Sequence, residues 1–249
     1  MDGASENNPV NDLLKEEEHL KANRSNWEAH WQQLGDLMLP RRNDFQAAQT
    51  RGAERRNKIF DSTPCRAVTR FASGLHNMMT PSAVPWFILK PRFRPLEQNR
   101  QVQLWLEEVQ QQVMDTLSRP QVNFHPTAYE YYTDLGTFGT AVMYVEDVPG
   151  EGPLFRHFGL NDCLLAVNKN GFVDTCFRNY KQTAKDLIET YPVEILPESV
   201  VKNIENGKIY EEYDIVHIVK PYHSVKPGPL LEVKAPYVSL TICKKERML

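Results

Sequence analysis

The sequence predicts an α+β protein, with long amphipathic helices in its first half and mainly antiparallel strands in its second half. Apolar side chains recur at helical spacing up to about residue 135. Beyond Gly136 the pattern changes to the two-residue alternation and β-branched content of strands. The segment Asn168-Lys169-Asn170-Gly171 supplies a hairpin turn, because asparagine and glycine tolerate a positive φ. This hairpin favours antiparallel pairing.

The chain opens with a polar and acidic segment, residues 1–9, which we expect to be a flexible tail. A long amphipathic helix is predicted over residues 11–37, with the apolar positions Leu13, Leu20, Trp27, Trp31 and Leu34. Its end is predicted before Pro40, because proline disfavours helical geometry in the residue that precedes it. Trp27 and Trp31 lie four residues apart on one helix face, so both are predicted to be core residues.

Residues 41–58 form a polar segment without an apolar period, which predicts an extended loop. Its six cations are candidate contacts to a partner protein or to phosphate groups: Arg41, Arg42, Arg51, Arg55, Arg56 and Lys58. The segment lacks the interleaved aromatic side chains on which a single-strand binder stacks bases. A solvated or partner-contacting loop is therefore favoured.

A second helix is predicted to begin with Thr63 as its cap and Pro64 at the first helical position. Asp61 lies just before this start, where the helix dipole and free amides favour a carboxylate. The buried stripe of the helix is predicted to be Val68, Phe71, Ala72, Leu75 and Met79. Residues 80–95 hold four prolines and predict a loop around a short apolar strand that includes Trp86 and Phe87.

The helical spacing and the two-residue alternation of strands also predict the remaining elements. A helix is predicted over residues 102–117, with an apolar face of Val102, Trp105, Leu106, Val109, Val113 and Leu117, and a further helix over residues 124–135. Strands are predicted over residues 140–146, 154–158, 163–167, 172–180, 212–219 and 237–243. Short helices are predicted after Thr183 and after Pro197.

The sequence contains no glycine-rich phosphate loop, nucleophile elbow or paired-histidine metal motif, so we expect no catalytic, cofactor or metal site. Its four cysteines are widely spaced, which disfavours zinc. With 29 basic and 32 acidic residues, the net charge of −3 gives no general attraction to nucleic acid or anionic lipid. The longest apolar stretch is far below the roughly 20 residues that span a bilayer.

Several landmarks, taken in order and spacing, resemble the head-to-tail connecting proteins, the portals of short-tailed phages with T7-like organisation. The first landmark ends the long helix and comprises Trp27, Trp31, Leu34, Asp36, Leu39, Pro40 and Arg41. The others are Ile59-Phe60-Asp61-Ser62-Thr63 before the second helix, then Gly74-Leu75, Thr80-Pro81 and Trp86-Phe87. The likeness continues through the following helix and strand, so it covers most of the chain.

The resemblance implies a structural subunit of a portal ring, usually of twelve subunits, and not an enzyme. Such a ring occupies one capsid vertex of the virion, forms the channel for DNA packaging and ejection, and docks the tail. The implied partners are further copies of the chain, major capsid and scaffolding proteins, tail adaptor proteins and terminase. Genomic DNA would pass without sequence specificity, no membrane is involved, and synthesis occurs in the host cytoplasm.

Within that family, the chain corresponds to the outer wing. Residues 10–135 would form its helix-rich part and residues 136–249 its strand-rich part. Family members run longer, and their stem, clip and crown regions have no counterpart in the sequence. Residues that line the channel or contact terminase are therefore not assigned.

Two other classes of function are compatible with the sequence. The first is a small nucleic-acid-binding protein that uses the basic segment from Arg41 to Lys58, whose affinity for duplex should fall steeply with added salt. The second is an enzyme whose polar groups converge in a pocket from both halves of the chain. The portal subunit is the favoured interpretation.

Overall fold

The computed structural model describes residues 9–42, 44–46, 59–224 and 236–246, and it has the predicted α+β architecture. Two compact units divide the chain. The continuous unit is Glu28–Leu160, and the composite unit combines Met1–Trp27 with Asn161–Leu249. The sequence predicts a division between residues 135 and 136, where the helical pattern changes to a strand pattern. The two packing units have different boundaries. The assignment of the chain to two parts of a wing stays a prediction.

The continuous unit contains the predicted helices followed by a β-hairpin. Its elements are the end of α1 (Pro9–Met38), then α2 (Thr63–Met79), α3 (Arg100–Leu117) and α4 (Phe124–Phe138), and the paired strands β1 (Val142–Val148) and β2 (Gly152–Phe158). Helix α1 ends before Pro40, as its sequence predicts. The structure therefore confirms all four helices and the change from helix to strand after residue 138.

The start of α2 differs from the prediction in which residue acts as cap. Thr63 is itself the first helical residue, and its side chain does not cap the helix. Asp61 Oδ1 instead accepts hydrogen bonds from the Thr63 backbone nitrogen at 2.9 Å and from Thr63 Oγ1 at 2.8 Å. These hydrogen bonds lower the pKa of Asp61. Asp61 thus supplies the acceptor that was predicted for Thr63, because its longer side chain reaches back over the first turn.

Two small apolar clusters form the core of the continuous unit. In the first, Trp31 of α1 packs with Phe138 of α4 and with Leu160. Phe45 completes this cluster, with its ring centroid 5.7 Å from Trp31 and 5.2 Å from Phe138. The second cluster comprises Val122, Phe124 and Ala128, against which Leu117, Tyr132, Met143 and Phe155 pack.

The two tryptophans of α1 do not share the burial that their spacing predicts. Trp31 is 9% exposed, whereas Trp27 is 58% exposed. An i, i+4 pair shares one helix face, but both members are buried only where a neighbouring element covers that face over the whole turn. The aromatic cluster that covers Trp31 stops one turn short of Trp27. The prediction of a core residue is correct for Trp31 and wrong for Trp27.

Helix α2 packs on α4, and this contact buries only part of the predicted stripe. Val68 and Ala72 are buried, whereas Phe71 and Met79 remain about half exposed. The Phe71 ring lies against Gly136 of α4, where an added Cβ would come within 2.5 Å of a ring carbon. Glycine at this position is what allows the two helices to approach.

Residues 80–95 form no strand, contrary to the prediction. The prolines remove backbone donors, and within the described part of the chain no other strand pairs with this segment. Trp86 instead stacks on Phe124 with centroids 6.0 Å apart, and Phe87 meets the edge of Trp86 at 5.0 Å. Aromatic packing therefore holds the segment in place of a hydrogen-bonded ladder.

The composite unit is built on a four-stranded antiparallel sheet in the order β3-β4-β5-β6. Its strands are β3 (Cys163–Val167), β4 (Val173–Thr183), β5 (Glu212–Pro221) and β6 (Tyr237–Cys243). Asn168 to Gly171 form the predicted turn between the first two strands, with Gly171 at a φ of 83°. The short helices α5 (Ala184–Thr190) and α6 (Glu198–Glu205) follow Thr183 and Pro197, as predicted.

Both faces of this sheet are covered. On one face, Val10 and Leu13 at the start of α1 pack against Leu164, Phe177, Val216, Ile218, Leu240 and Ile242. On the other, residues of α5 and α6 pack against Tyr213 and Ile215. The alternation along β5 thus sends successive side chains to different covering helices.

Polar contacts fix α1 on the sheet. Lys220 Nζ lies 2.7 Å from Glu16, and Lys244 Nζ lies 2.7 Å from Glu17. Arg24 donates to the backbone oxygen of Cys163 at 2.5 Å, so it occupies an acceptor of the edge strand β3. A charge pair and a capped sheet edge therefore supplement the apolar contact.

Trp31→Ala should lower the free energy of unfolding by about 3–5 kcal/mol, because it opens a cavity in the aromatic cluster. The matched variant Trp27→Ala should cost about 1 kcal/mol or less, since that side chain is largely exposed. Urea denaturation of both variants measures the difference. Equal losses would contradict the burial that separates these two residues.

Candidate assembly surfaces

The continuous unit contains a buried charged cluster formed by three separate elements. Asp134 on α4 is fully buried, and its Oδ1 lies 2.5 Å from Nη1 of Arg42, in the turn after α1. Its Oδ2 lies 2.8 Å from Nε2 of His157 on β2. Glu130, one turn before Asp134, reaches Nη2 of Arg42 at 3.3 Å. The cluster thus joins the end of α1, the middle of α4 and the hairpin.

The ion pairs of this cluster join elements of the continuous unit. A buried carboxylate is costly to desolvate, and close partners that are charged or donate hydrogen bonds offset that cost. Arg42 donates a hydrogen bond to Oδ1 of Asp134, whereas His157 Nε2 lies 2.8 Å from Oδ2 without forming a hydrogen bond to it. The cluster has no open coordination position, and within the described residues no group of three or more His, Cys, Asp or Glu side chains is arranged to hold a metal.

Arg42 makes an internal contact to Asp134, and its role as a partner or phosphate contact stays a prediction. Arg41 next to it is exposed. The other predicted cations, Arg51, Arg55, Arg56 and Lys58, lie outside the described residues. The sequence could not separate Arg42 from Arg41, because the residue that binds it, Asp134, is 92 positions away.

Asp134 and His157 are important residues that the sequence analysis did not single out as a pair. One signal was available, since Asp134 is the only acidic residue in the aromatic second half of α4. A carboxylate among aromatic side chains indicates either a buried partner or an exposed face. Its partner could not be chosen from the sequence.

Of the other predicted landmarks, some lie in the interior and some on the surface. Pro40 begins the turn that carries Arg42, and Gly74 lies in α2 with open space where a Cβ would be. Phe60 is 98% exposed, just ahead of Asp61 and the start of α2. The aromatic ring of Phe60 therefore lies on the surface and not in the core.

A larger apolar surface continues from Phe60 along the chain. Its exposed large side chains up to residue 113 are Phe71, Met78, Met79, Val84, Trp86, Ile88, Phe93, Leu96, Leu104, Trp105 and Val113. The predicted apolar face of α3 is part of it, because Trp105 is 61% exposed and Val113 is also open to solvent. The helix exists as predicted, but its expectation of a buried face is wrong for these two residues.

A groove of about 380 Å³ lies beside α3 on the same unit. Its apolar lining includes Ile88, Leu89, Leu96, Val102 and Leu106. Helix α3 is attached to the unit mainly at its two ends, through Leu96 and its neighbours and through Met114 and Leu117. An apolar groove beside a helix that also exposes Trp105 and Val113 is a candidate surface for assembly.

Two histidines contact each other between α2 and α4. His125 Nδ1 lies 3.3 Å from His76 Nε2, and burial together with the nearby His76 lowers the pKa of His125. This contact ties the end of α2 to the start of α4. Among the described helices, none combines the length and the apolar character needed to cross a bilayer.

Comparison with known proteins gives one consistent result. Residues 10–248 match the family model described as bacteriophage head to tail connecting protein. The chain is similar to the portal protein of Salmonella phage epsilon15, with 29% identity over 229 residues that make up 92% of this chain and 41% of that protein. It is also similar to the probable portal protein of Bordetella phage BPP-1, with 27% identity over 212 residues, 84% of this chain and 38% of that protein. The chain thus spans about two fifths of the length of these relatives.

The Asp134 cluster gives a direct test of what holds the continuous unit together. Asp134→Asn should lower the free energy of unfolding by about 3–5 kcal/mol, because it breaks a buried ion pair from one side. Glu130→Gln removes a neighbouring carboxylate that is half exposed and should cost about 1 kcal/mol or less. Chemical denaturation followed by circular dichroism measures both. A loss below about 1 kcal/mol for Asp134→Asn would contradict this role.

Proposed function

Because the chain belongs to the bacteriophage head to tail connecting protein family, we propose that it is a structural subunit of a portal ring at one vertex of a phage capsid. The observation that carries the proposal is the match to this family over residues 10–248. The two relatives, which are named as portal proteins, support it. The ring would provide the channel for DNA packaging and ejection and the docking site for the tail.

The exposed apolar surface between residues 60 and 113 is consistent with a subunit that is completed by its neighbours. A closed ring uses two unlike surfaces on each copy, which meet head to tail. Each subunit must therefore carry solvent-facing apolar residues that are buried only on assembly. The exposed apolar side chains between Phe60 and Val113 are candidates for this role.

The role is mechanical and not catalytic. Genomic DNA would pass through the ring without sequence readout, and the net charge of −3 gives the chain no general attraction to a polyanion. The partners would be capsid and scaffolding proteins, tail adaptors and terminase, with twelve copies in the ring. The chain would be made in the host cytoplasm and reside in the virion, with residues 10–249 in the outer wing.

The protein expressed from its complete reading frame should assemble into closed rings of about twelve subunits, since head-to-tail contacts that close give cyclic symmetry. Native mass spectrometry gives the subunit number, and negative-stain electron microscopy gives the shape. Preparations that contain only monomers or twofold dimers would contradict the proposed function.

The basic segment should serve assembly and not sequence-specific DNA binding. Replacing Arg51, Arg55 and Arg56 together by glutamine should reduce incorporation of the ring into capsids and leave duplex binding at low salt unchanged. The control variant replaces three exposed cations elsewhere, Arg119, Lys169 and Lys208, by glutamine. Loss of duplex affinity with normal incorporation would instead favour a phosphate-binding role for this segment.

A further inference from the structure

Helix α2 presents a second apolar stripe beside its buried residues Val68 and Ala72, and one side of Phe71 in this stripe lies against Gly136 of α4 while about half of the side chain stays exposed. Ala67, Phe71, Gly74 and Met78 follow one another at spacings of four, three and four residues, which places them along one line of the helix. Ala67, Phe71 and Met78 are exposed, and the space beside Gly74 is open. Small residues alternate with large ones, so the stripe has depressions into which side chains of another helix fit.

The charges on α2 are all of one sign. Arg66 and Arg70 are exposed beside this stripe, and residues 63–79 contain no acidic side chain. Neither arginine forms an ion pair with any residue that the structure describes. The surface of α2 therefore combines an apolar line with a positive border.

Helix α3 carries the opposite combination. Trp105, Val109 and Val113 are spaced by four residues along a line that the described chain leaves partly uncovered. Glu108 and Asp115 lie exposed along the border of this line. Beyond Arg100 at its first position, the helix has no basic side chain. Its surface thus combines an apolar line with a negative border.

We propose that α2 of one copy packs against α3 of the next copy in the ring. This inference rests on the proposed function and specifies the surfaces through which it operates. The Trp105 side chain of one copy fits the depression at Gly74 of its neighbour, and Arg66 and Arg70 face Glu108 and Asp115. Opposite charges at the border of such a contact set its register and partner choice.

The charge pattern also selects head-to-tail pairing over a twofold dimer. Two copies of α2 face to face would bring Arg66 and Arg70 against each other, and two copies of α3 would oppose their carboxylates. Like charges brought together at an interface are unfavourable. Only α2 against α3 joins attractive surfaces, and because the two helices are unlike, repeated contacts produce a ring or a helical filament.

Charge reversal tests the contact. One variant combines Arg66→Glu with Arg70→Glu, and the other combines Glu108→Lys with Asp115→Lys. Each should raise the protein concentration needed for half-maximal ring assembly on the order of tenfold or more, because four like charges then meet at the contact. Analytical ultracentrifugation across a concentration series measures assembly, and circular dichroism melting shows that each variant is folded.

Mixing the two variants gives the decisive measurement. In an equimolar mixture, the reversed α2 of one variant meets the reversed α3 of the other, and the two unchanged surfaces also match. Rings of alternating composition should therefore form although each variant alone does not assemble. The control variant Lys169→Glu with Lys208→Glu matches the change in net charge of the α2 variant on exposed residues of the composite unit, and it should assemble normally.

The outcomes separate the two proposals. Unaltered protein that never forms rings overturns the proposed function and this contact with it. Unaltered protein that forms rings, with both reversed variants assembling as well as the control, overturns only the contact between α2 and α3. Rings that are lost in each folded variant and restored in the mixture establish the contact.

Discussion

The continuous unit depends on one buried carboxylate. Asp134 lies close to Arg42, in the turn after α1, and to His157 on β2. A buried carboxylate needs oppositely charged or hydrogen-bonding partners close to it. The turn after α1, α4 and β2 therefore cannot shift independently of one another. The aromatic cluster of Trp31, Phe45 and Phe138 packs on two of these same elements, α1 and α4. The apolar contacts contribute burial, while the ion pair imposes the geometry.

With these elements fixed, the unit places its remaining apolar residues outward. Helix α2 rests on α4 through Phe71 and Gly136, and α3 is attached near its ends. Both helices leave large apolar side chains exposed, among them Met78 on α2 and Trp105 on α3. A protein that acted alone would bear this exposure as an aggregation hazard. In the proposed ring, the neighbouring copy would cover these side chains.

Local features of the sequence predicted most of the elements. Strand β6 has the predicted bounds 237–243, the turn at Gly171 is present, and Pro40 ends α1. Each of these features determines the backbone conformation of residues next to it in the sequence. Burial was less predictable, as Trp27 and Trp105 show, because it depends on which distant element covers a face. The pairing of Asp134 with Arg42 and His157 was not predictable either, since a charge gives no indication of its distant partner. At the start of α2, Asp61 accepts a hydrogen bond from the Thr63 amide, and Thr63 is the first helical residue instead of the cap.

The contact between Lys220 and Glu16 joins residues 204 positions apart, and it has a consequence for the order of events on the ribosome. Val10 and Leu13 pack against Ile242, so the core of the composite unit is incomplete until the last strand emerges. Translation proceeds at about 5–20 residues per second. Roughly 10–40 s therefore pass between synthesis of the start of α1 and synthesis of the strands against which it packs. The residues of the continuous unit are contiguous in the chain, so its synthesis is complete at residue 160, before the strands of the composite unit are made.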